Sequence, residues 1–365
     1  MMGEKQLREG YTTGACATAA TKAALTALIT GIPPTEATIY LPVGRWVTFS
    51  IERCDLQATS ATAVVIKDGG DDPDATHGAS IVATVSWTTG TSIELDGGEG
   101  VGRVTKPGLP VPVGEAAINP VPRKMITETA RQVLEQYEIT SGVRIVISVP
   151  NGVEIAKKTL NARLGIIGGI SILGTRGIVV PFSTSAYRAS IVRAIEVAKA
   201  TGCDHVVITT GGRSEKYAMK QYAHLPEEAF IEMGDFVGFT LKQCKKHQMK
   251  TVSMVGMMGK FSKVAQGVMM VHAKSAPVDF HFLSAVAEEA GAPSELIQAI
   301  REANTASQVG DWMQAAGHLR FFDKLCDYCC QSALKEVGGG LTIETTLYTL
   351  DGQWLGKAVR HDAAD

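Results

Sequence analysis

"DHVVITTGGRSEKYAMK", residues 204–220, runs from a short β-branched apolar stretch through two threonines and two glycines into a segment with helical spacing. A strand buried on both faces reads as such an uninterrupted apolar run, and a glycine pair at its end lets the chain turn sharply into a helix. The stretch therefore predicts a strand-to-helix turn at the carboxyl edge of a parallel sheet, the edge where open sheets bind ligands. There Gly211 and Gly212 admit a ligand close to the backbone, Arg213 offers a carboxylate a two-point grip, and Ser214 and Glu215 stand at the helix start. A capped helix carrying surface charges is the alternative reading.

The same texture extends to both sides. "VRIVISVP", "GGISILG", "AFIEMG" and "KTVSMVG" are short apolar runs separated by helical segments such as "SAYRASIVRAIEVAKATG". This alternation predicts a Rossmann-like α/β domain over residues 143–275. In "EMGDF", Glu232 and Asp235 close one of the runs and are expected to face the crevice at Gly211. Upstream, residues 1–142 open with a helix from Thr13 to Thr30, stopped by Gly31, and continue with alternating strands that break at glycine clusters. They predict a mixed α+β domain with antiparallel strands. A proline-rich crossing, "KPGLPVPVGEAAINPVPRKM", and a short helix at about Lys124 to Tyr137 lead to the boundary. Downstream, residues 276–365 read as helices to Val337 and a hairpin about Asp351-Gly352, packed on one of the two domains. The fold class is thus α+β and α/β, in two domains with a helical C-terminal part.

Composition limits the function. A chain of 365 residues exceeds one ordinary core, and 45% hydrophobic with 20% charged residues is the balance of a globular protein. A net charge of -2 excludes a broad nucleic-acid footprint. With no 18-residue apolar run and no apolar core in "MMGEKQLREG", the chain is expected to be cytoplasmic, without membrane contact. Seven scattered cysteines read as reduced thiols, and "CDYCC" lacks a second zinc pair. Neither phosphate-binding loop signature, G-x-x-x-x-G-K-[ST] or G-x-G-x-x-G, occurs.

Three more stretches offer chemistry. In "GYTTGACATAATKAAL", residues 10–25, Thr12, Thr13 and Gly14 precede an alanine-rich helix; a helix start carries free N–H groups and suits an anion, or else this is a capped packing helix. "KDGGDDPDATHG", residues 67–78, sets Asp68, Asp71, Asp72, Asp74 and His77 together, for magnesium, for a ribose or amine, or as a plain glycine-rich turn. "IELDGGEGVG", residues 93–102, matches the acidic glycine loop of many S-adenosylmethionine enzymes, but the prolines that follow favour a bulged hairpin. Arg103, Lys106, Arg123, Lys124, Lys157, Lys158, Arg163 and Arg176 fall in loops or strand ends, where together they could hold a polycarboxylate or singly be solvated charges.

The first two of these stretches, together with "GEGVGRVTKPGL", "AINPVPR", "KKTLNARLGIIGGISILGTRGIV", "TTGGRSE" and "EMGDFVG", resemble, in order from about Gly10 to about His281, the CbiD family of cobalt-precorrin-5B C1-methyltransferases. The resemblance implies methyl transfer from S-adenosylmethionine to C1 of a cobalt-containing tetrapyrrole in anaerobic cobalamin synthesis, giving cobalt-precorrin-6A and S-adenosylhomocysteine. The cobalt belongs to the substrate, and no protein-bound metal is expected. Gly211 to Glu215, Glu232 and Asp235 are assigned to the methyl donor. Thr12, Thr13, Gly14 and Arg123 go to substrate carboxylates, Asp71 and Asp72 to either ligand, and no catalytic acid or base is named. Arg176 in "GTRG" departs from the family's second threonine. A homo-oligomer is compatible with the sequence. A dehydrogenase lacks its dinucleotide loop here; a tetrapyrrole carrier would have no use for a donor pocket.

Overall fold

The computed structural model describes residues 7–361. The chain forms two compact units that divide after Thr184. Mixed α/β architecture runs through both.

Helix α1, Thr13–Thr30, has the predicted limits. Thr12 caps it through a hydrogen bond from the Ala15 N–H at 3.2 Å, and Gly31, at φ 73°, ends it in the left-handed region. It is buried nearly all round. Ala15, Ala17, Ala19, Ala20, Ala23, Ala24 and Ala27 let it press against strands β2 (Ser60–Ile66) and β3 (Ser80–Trp87) on one side and helix α2 (Pro120–Gln136) on another. Thr18 and Thr21 satisfy their buried hydroxyls by donating to Gly14 O and Ala17 O, both at 2.8 Å. Close packing therefore accounts for the alanines.

The sheet of this unit is ordered β1-β2-β3-β5-β4, with β1 Arg53–Leu56, β4 Ile93–Gly97 and β5 Val143–Ser148. Strand β5 was expected to open the parallel domain after residue 142. Instead it pairs antiparallel with β3 (Ile145 opposite Val85) and parallel with β4 (Ile145 opposite Leu95). Its burial explains this: Val143, Ile145 and Ile147 are wholly buried while Arg144 is exposed, the pattern of a strand with one face in a core. "GGISILG" also stays in this unit; Gly169–Ile170 pairs with Gly100–Val101.

The second unit alternates strand and helix as predicted. Helix α3 (Thr184–Ala200) leads into β6 (His205–Thr209), α4 (Gly212–Gln221), β7 (Phe230–Glu232), α5 (Val237–Lys246), β8 (Thr251–Met257) and α6 (Met258–Ala265). Four further helices follow: α7 (Phe280–Glu289), α8 (Ser294–Arg301), α9 (Ala306–Ala315) and α10 (Arg320–Val337). Then β9 (Thr342–Tyr348) turns at Gly352, φ 93°, into β10 (Trp354–His361). Sheet order is β7-β6-β8-β9-β10, parallel up to β9 and antiparallel at β10. The C-terminal hairpin thus belongs to the sheet itself, since β9 lies beside β8, and residues 276–365 are no separate layer.

A polar network crosses this sheet. His205 Nε2 lies 2.7 Å from Ser253 Oγ, and Glu344 Oε2 accepts from Ser253 at 2.8 Å and from Tyr222 at 2.7 Å. Burial holds the His205 imidazole below its ordinary value. Such a histidine takes up its proton on unfolding, so its contribution is complete above the unfolded pKa of about 6.5 and is lost as pH falls through the folded value. Denaturant titrations are therefore expected to show stability declining below about pH 6.5, with part of that slope removed in His205→Gln; an identical slope in the variant would refute the assignment.

Candidate functional site

The turn from β6 into α4 is built as predicted. Gly211 is extended, α4 starts at Gly212, and Ser214 Oγ donates to Gly211 O at 2.8 Å, so Ser214 is buried in the turn itself. Arg213 is exposed, with no ion-pair partner among the described residues. Strand β7 is in register so that Glu232 lies opposite Thr209, and a Cβ placed on Gly211 would stand 3.8 Å from Glu232 Oε1. Gly234, at φ 57°, turns the chain after Glu232 and leaves room for Tyr187, whose hydroxyl would be 2.8 Å from a Cβ there. Asp235 Oδ1 then meets Lys260 Nζ at 3.0 Å.

The electrostatics tie these groups together. The Tyr187 hydroxyl is pushed up to about 12, first by burial and then by the negative charges of Glu232, Asp235 and Glu215. Gly211, Gly212, Glu215, Glu232 and Asp235 therefore gather at one strand edge. Sequence reading missed Tyr187 and Lys260. The available signal for Lys260 was "GMMGK", which follows the apolar run of β8 as "TTGGRS" follows that of β6.

The first unit corrects the idea of an anion seat at the start of α1. Thr12 N donates to Gly177 O at 3.1 Å, Gly14 N to Leu173 O at 3.0 Å, and Thr13 Oγ1 accepts from Leu173 N at 2.9 Å. Thr12 and Thr13 are 5% and 3% exposed, and a Cβ on Gly14 would stand 2.6 Å from Pro122 Cγ. The donors that would meet an anion are committed to residues 171–177. Arg123 pairs with Glu115 at 3.1 Å.

In "KDGGDDPDATHG" the acids are likewise engaged. Arg8 pairs with Asp68, Asp71 accepts from Arg8 N at 2.8 Å, and Asp72 accepts from Phe182 N at 2.9 Å. The Arg8 hydrogen bond, backed by the Gly70 N–H, holds Asp68 at about 2. Asp74 pairs with Lys67, whose side chain is 1% exposed. No group of three histidine, cysteine or acidic side chains is placed to hold a metal ion among the described residues.

The glycine motif at 93–102 is not a hairpin: β4 runs parallel to β5, and Asp96 pairs with Arg103 at 3.0 Å. Of the other cations, Lys157 pairs with Glu154 at 2.6 Å. Lys124, Lys158 and Arg176 have no ion-pair partner among the described residues. Arg176 sits in a segment that exposes Leu173, Val180 and Phe182. No described helix is long and apolar enough to cross a membrane.

Comparison with known proteins follows the same lines. Residues 1–181 match the family described as CbiD, and residues 270–359 match "CbiD, C-terminal domain". A protein of Geobacillus sp. (strain WCH70), named cobalt-precorrin-5B C(1)-methyltransferase, is 78% identical over 365 residues, 100% of either chain. The chain belongs to the CbiD family. A CbiD relative of the same name from Priestia megaterium is 72% identical over 357 residues, covering 98% of this chain and 97% of its own. A crystal structure titled as a cobalamin biosynthesis protein (cbiD) from Archaeoglobus fulgidus is 31% identical, covers 69% of this chain and 78% of its own, and has a TM-score of 0.39. The CbiD match at 1–181 ends close to the division after Thr184.

Proposed function

We propose that this chain methylates C1 of cobalt-precorrin-5B with S-adenosylmethionine as donor, giving cobalt-precorrin-6A and S-adenosylhomocysteine. The observation that carries the reading is the 78% identity, over its whole length, to a relative named for that reaction. The second unit is taken as Rossmann-like and as the donor unit.

The strand edge fits such a donor. A glycine turn after one parallel strand, with an acid about 20 residues on, is the arrangement that accepts a ribose in dinucleotide folds. Gly211 and Glu232 supply it, with the carboxylate beside the turn. Gly212 and Glu215 complete the first turn of α4, Ser214 locks it, and Arg213 presents its guanidinium to a carboxylate at the rim. The donor brings an electrophilic methyl group on a sulfonium. What the chain contributes is placement: orienting two reactants can contribute roughly 7–11 kcal/mol, and transfer to an electron-rich carbon needs no strong base.

For the tetrapyrrole we propose the first unit's segment around Leu173, Arg176 and Phe182, which offers exposed apolar surface and a cation without an ion-pair partner among the described residues. Thr12, Thr13 and Gly14 hold that segment in place rather than binding carboxylates themselves. Arg176, Lys124 and Lys158 are the cations left for acetate and propionate arms; Arg123, Asp71 and Asp72 act at one remove, through Glu115, Arg8 and Phe182.

The direct test is an anaerobic incubation with cobalt-precorrin-5B and methyl-labelled donor. Label at C1 is the expected result; label elsewhere, or none with folded protein, would reject the reading. Glu232→Gln is expected to weaken S-adenosylhomocysteine binding about tenfold, the loss of one charged hydrogen-bonding group. Unchanged affinity by calorimetry would remove Glu232 from the donor site.

A further inference from the structure

In the second unit the chain passes from the inner strand β6 outward to β7 and then back across to β8 on the other side of β6. The loops leaving β6 and β8 consequently diverge, and in open parallel sheets that divergence opens the ligand crevice. The loop after β6 carries Gly211 and Gly212, and α6, directly after β8, carries Gly259 and Lys260. A Cβ built on Gly212 or on Gly259 meets no atom within 4 Å, so both loops border open space.

Asp235 and Lys260 stand together here as a fixed pair of opposite charges, 3.0 Å apart, with side chains 25% and 40% exposed. The pair is incompletely satisfied. Asp235 Oδ1 is buried, yet its approach to the ammonium lacks the angles of a hydrogen bond, and it accepts none elsewhere among the described residues. A buried carboxylate oxygen in that condition retains its capacity to accept a charged donor, at a depth where such a bond counts for more than in water. Nearby, Thr209 Oγ1, at the end of β6, is wholly buried and also without a hydrogen-bond partner among the described residues.

We infer that Asp235 and Lys260 form the amino-acid subsite of the donor pocket: Asp235 accepts from the donor's α-ammonium, and Lys260 donates to its α-carboxylate. An aligned carboxylate and ammonium are the mirror of an α-amino acid's own charges, and each partner exchanges part of one ion pair for another. This inference rests on the donor reading above, and it adds Lys260, which that reading does not use.

Two ligands separate the two claims. S-adenosylhomocysteine carries the amino-acid head; 5′-methylthioadenosine has the same nucleoside and thioether without it. In calorimetric titrations of the full chain, Lys260→Met and Asp235→Asn are each expected to weaken S-adenosylhomocysteine about tenfold or more, while 5′-methylthioadenosine affinity stays within about twofold. The double variant is expected to lose less than the product of the single losses, since both groups grip one head. Equal losses for both ligands would mean that the pair only shapes the loop, and no loss for either would mean that the head lies elsewhere; each result overturns the subsite alone. If the folded wild-type protein binds neither ligand, the donor reading falls and the subsite with it.

Discussion

Gly100→Val is expected to deprive the first unit of a large share of its stability. Gly100 has φ 72°, and a Cβ there would stand 1.9 Å from Val149 O, closer than any two such atoms can approach. The obstacle is backbone, held by the hydrogen bond from Val149 N to Glu99 O at 2.8 Å, so it cannot swing away. Neighbouring glycines make the same crossing: Cβ atoms on Gly152 and Gly169 would each lie 2.1 Å from Gly100 O. Strain at a positive φ and overpacking each cost about 1–3 kcal/mol, and a β-branched residue incurs both, roughly 2–6 kcal/mol together. That is a large share of the roughly 5–15 kcal/mol by which folded domains exceed their unfolded states. Urea unfolding should show a much lower midpoint or no folded baseline. Gly212→Ala is the control, because a Cβ there meets nothing and a helix start tolerates alanine. A Gly100→Val variant as stable as this control would refute the close crossing.

That crossing also gives the glycines of "IELDGGEGVG" a packing role that the sequence does not reveal. Glycines spaced for a nucleotide look the same as glycines spaced for a neighbouring strand, and only the distant residues 149–152 and 169 decide between them. Local signals were legible wherever they were self-sufficient. Thr12 and Gly31 bound α1, Asp351-Gly352 turns β9 into β10, and the β6–α4 turn sits where its glycines place it. Strand β5 was not legible in the same way. Its one-sided burial was written in Val143, Arg144 and Ile145, but its partners β3 and β4 lie up to about 60 residues away in sequence and carry no local mark.

The site divides along the same line. Gly211, Glu215, Glu232 and Asp235 belong to consecutive strand–helix turns, so their meeting follows from parallel topology once the alternation is recognised. Thr12, Thr13 and Gly14 have the residue types of an anion site, yet the segment 171–177, some 160 residues later in the chain, takes those donors. A free helix start and an internally satisfied one have the same sequence. Lys260 escaped notice for the converse reason: a lysine is ordinary on a surface and gains meaning only when Asp235 is beside it.

The second large effect is expected at Asp74. Lys67 is among the largest fully buried side chains of the protein, and its ammonium reaches Asp74 Oδ2 at 2.5 Å. Burial by itself raises the Asp74 carboxyl, but hydrogen bonds from Lys67 and Thr76, aided by the Lys67 charge, outweigh it and leave the group below its ordinary value. Asp74→Ala leaves a buried charge without its counter-ion, which costs about 3–5 kcal/mol, whereas replacing both partners by apolar residues of similar volume is often nearly neutral. Lys67→Met combined with Asp74→Leu is therefore expected to recover much of what Asp74→Ala loses. The sign with pH follows from the depressed carboxyl: its contribution is complete above the unfolded value of about 3.9 and disappears as pH falls through the folded value. Asp74→Asn should flatten that acid limb. Denaturant midpoints for the three variants, compared at neutral and acid pH, decide the matter. A single Asp74→Ala variant no weaker than the double one would show that Lys67 finds another partner or escapes to solvent, and that this ion pair is not what anchors residues 67–78.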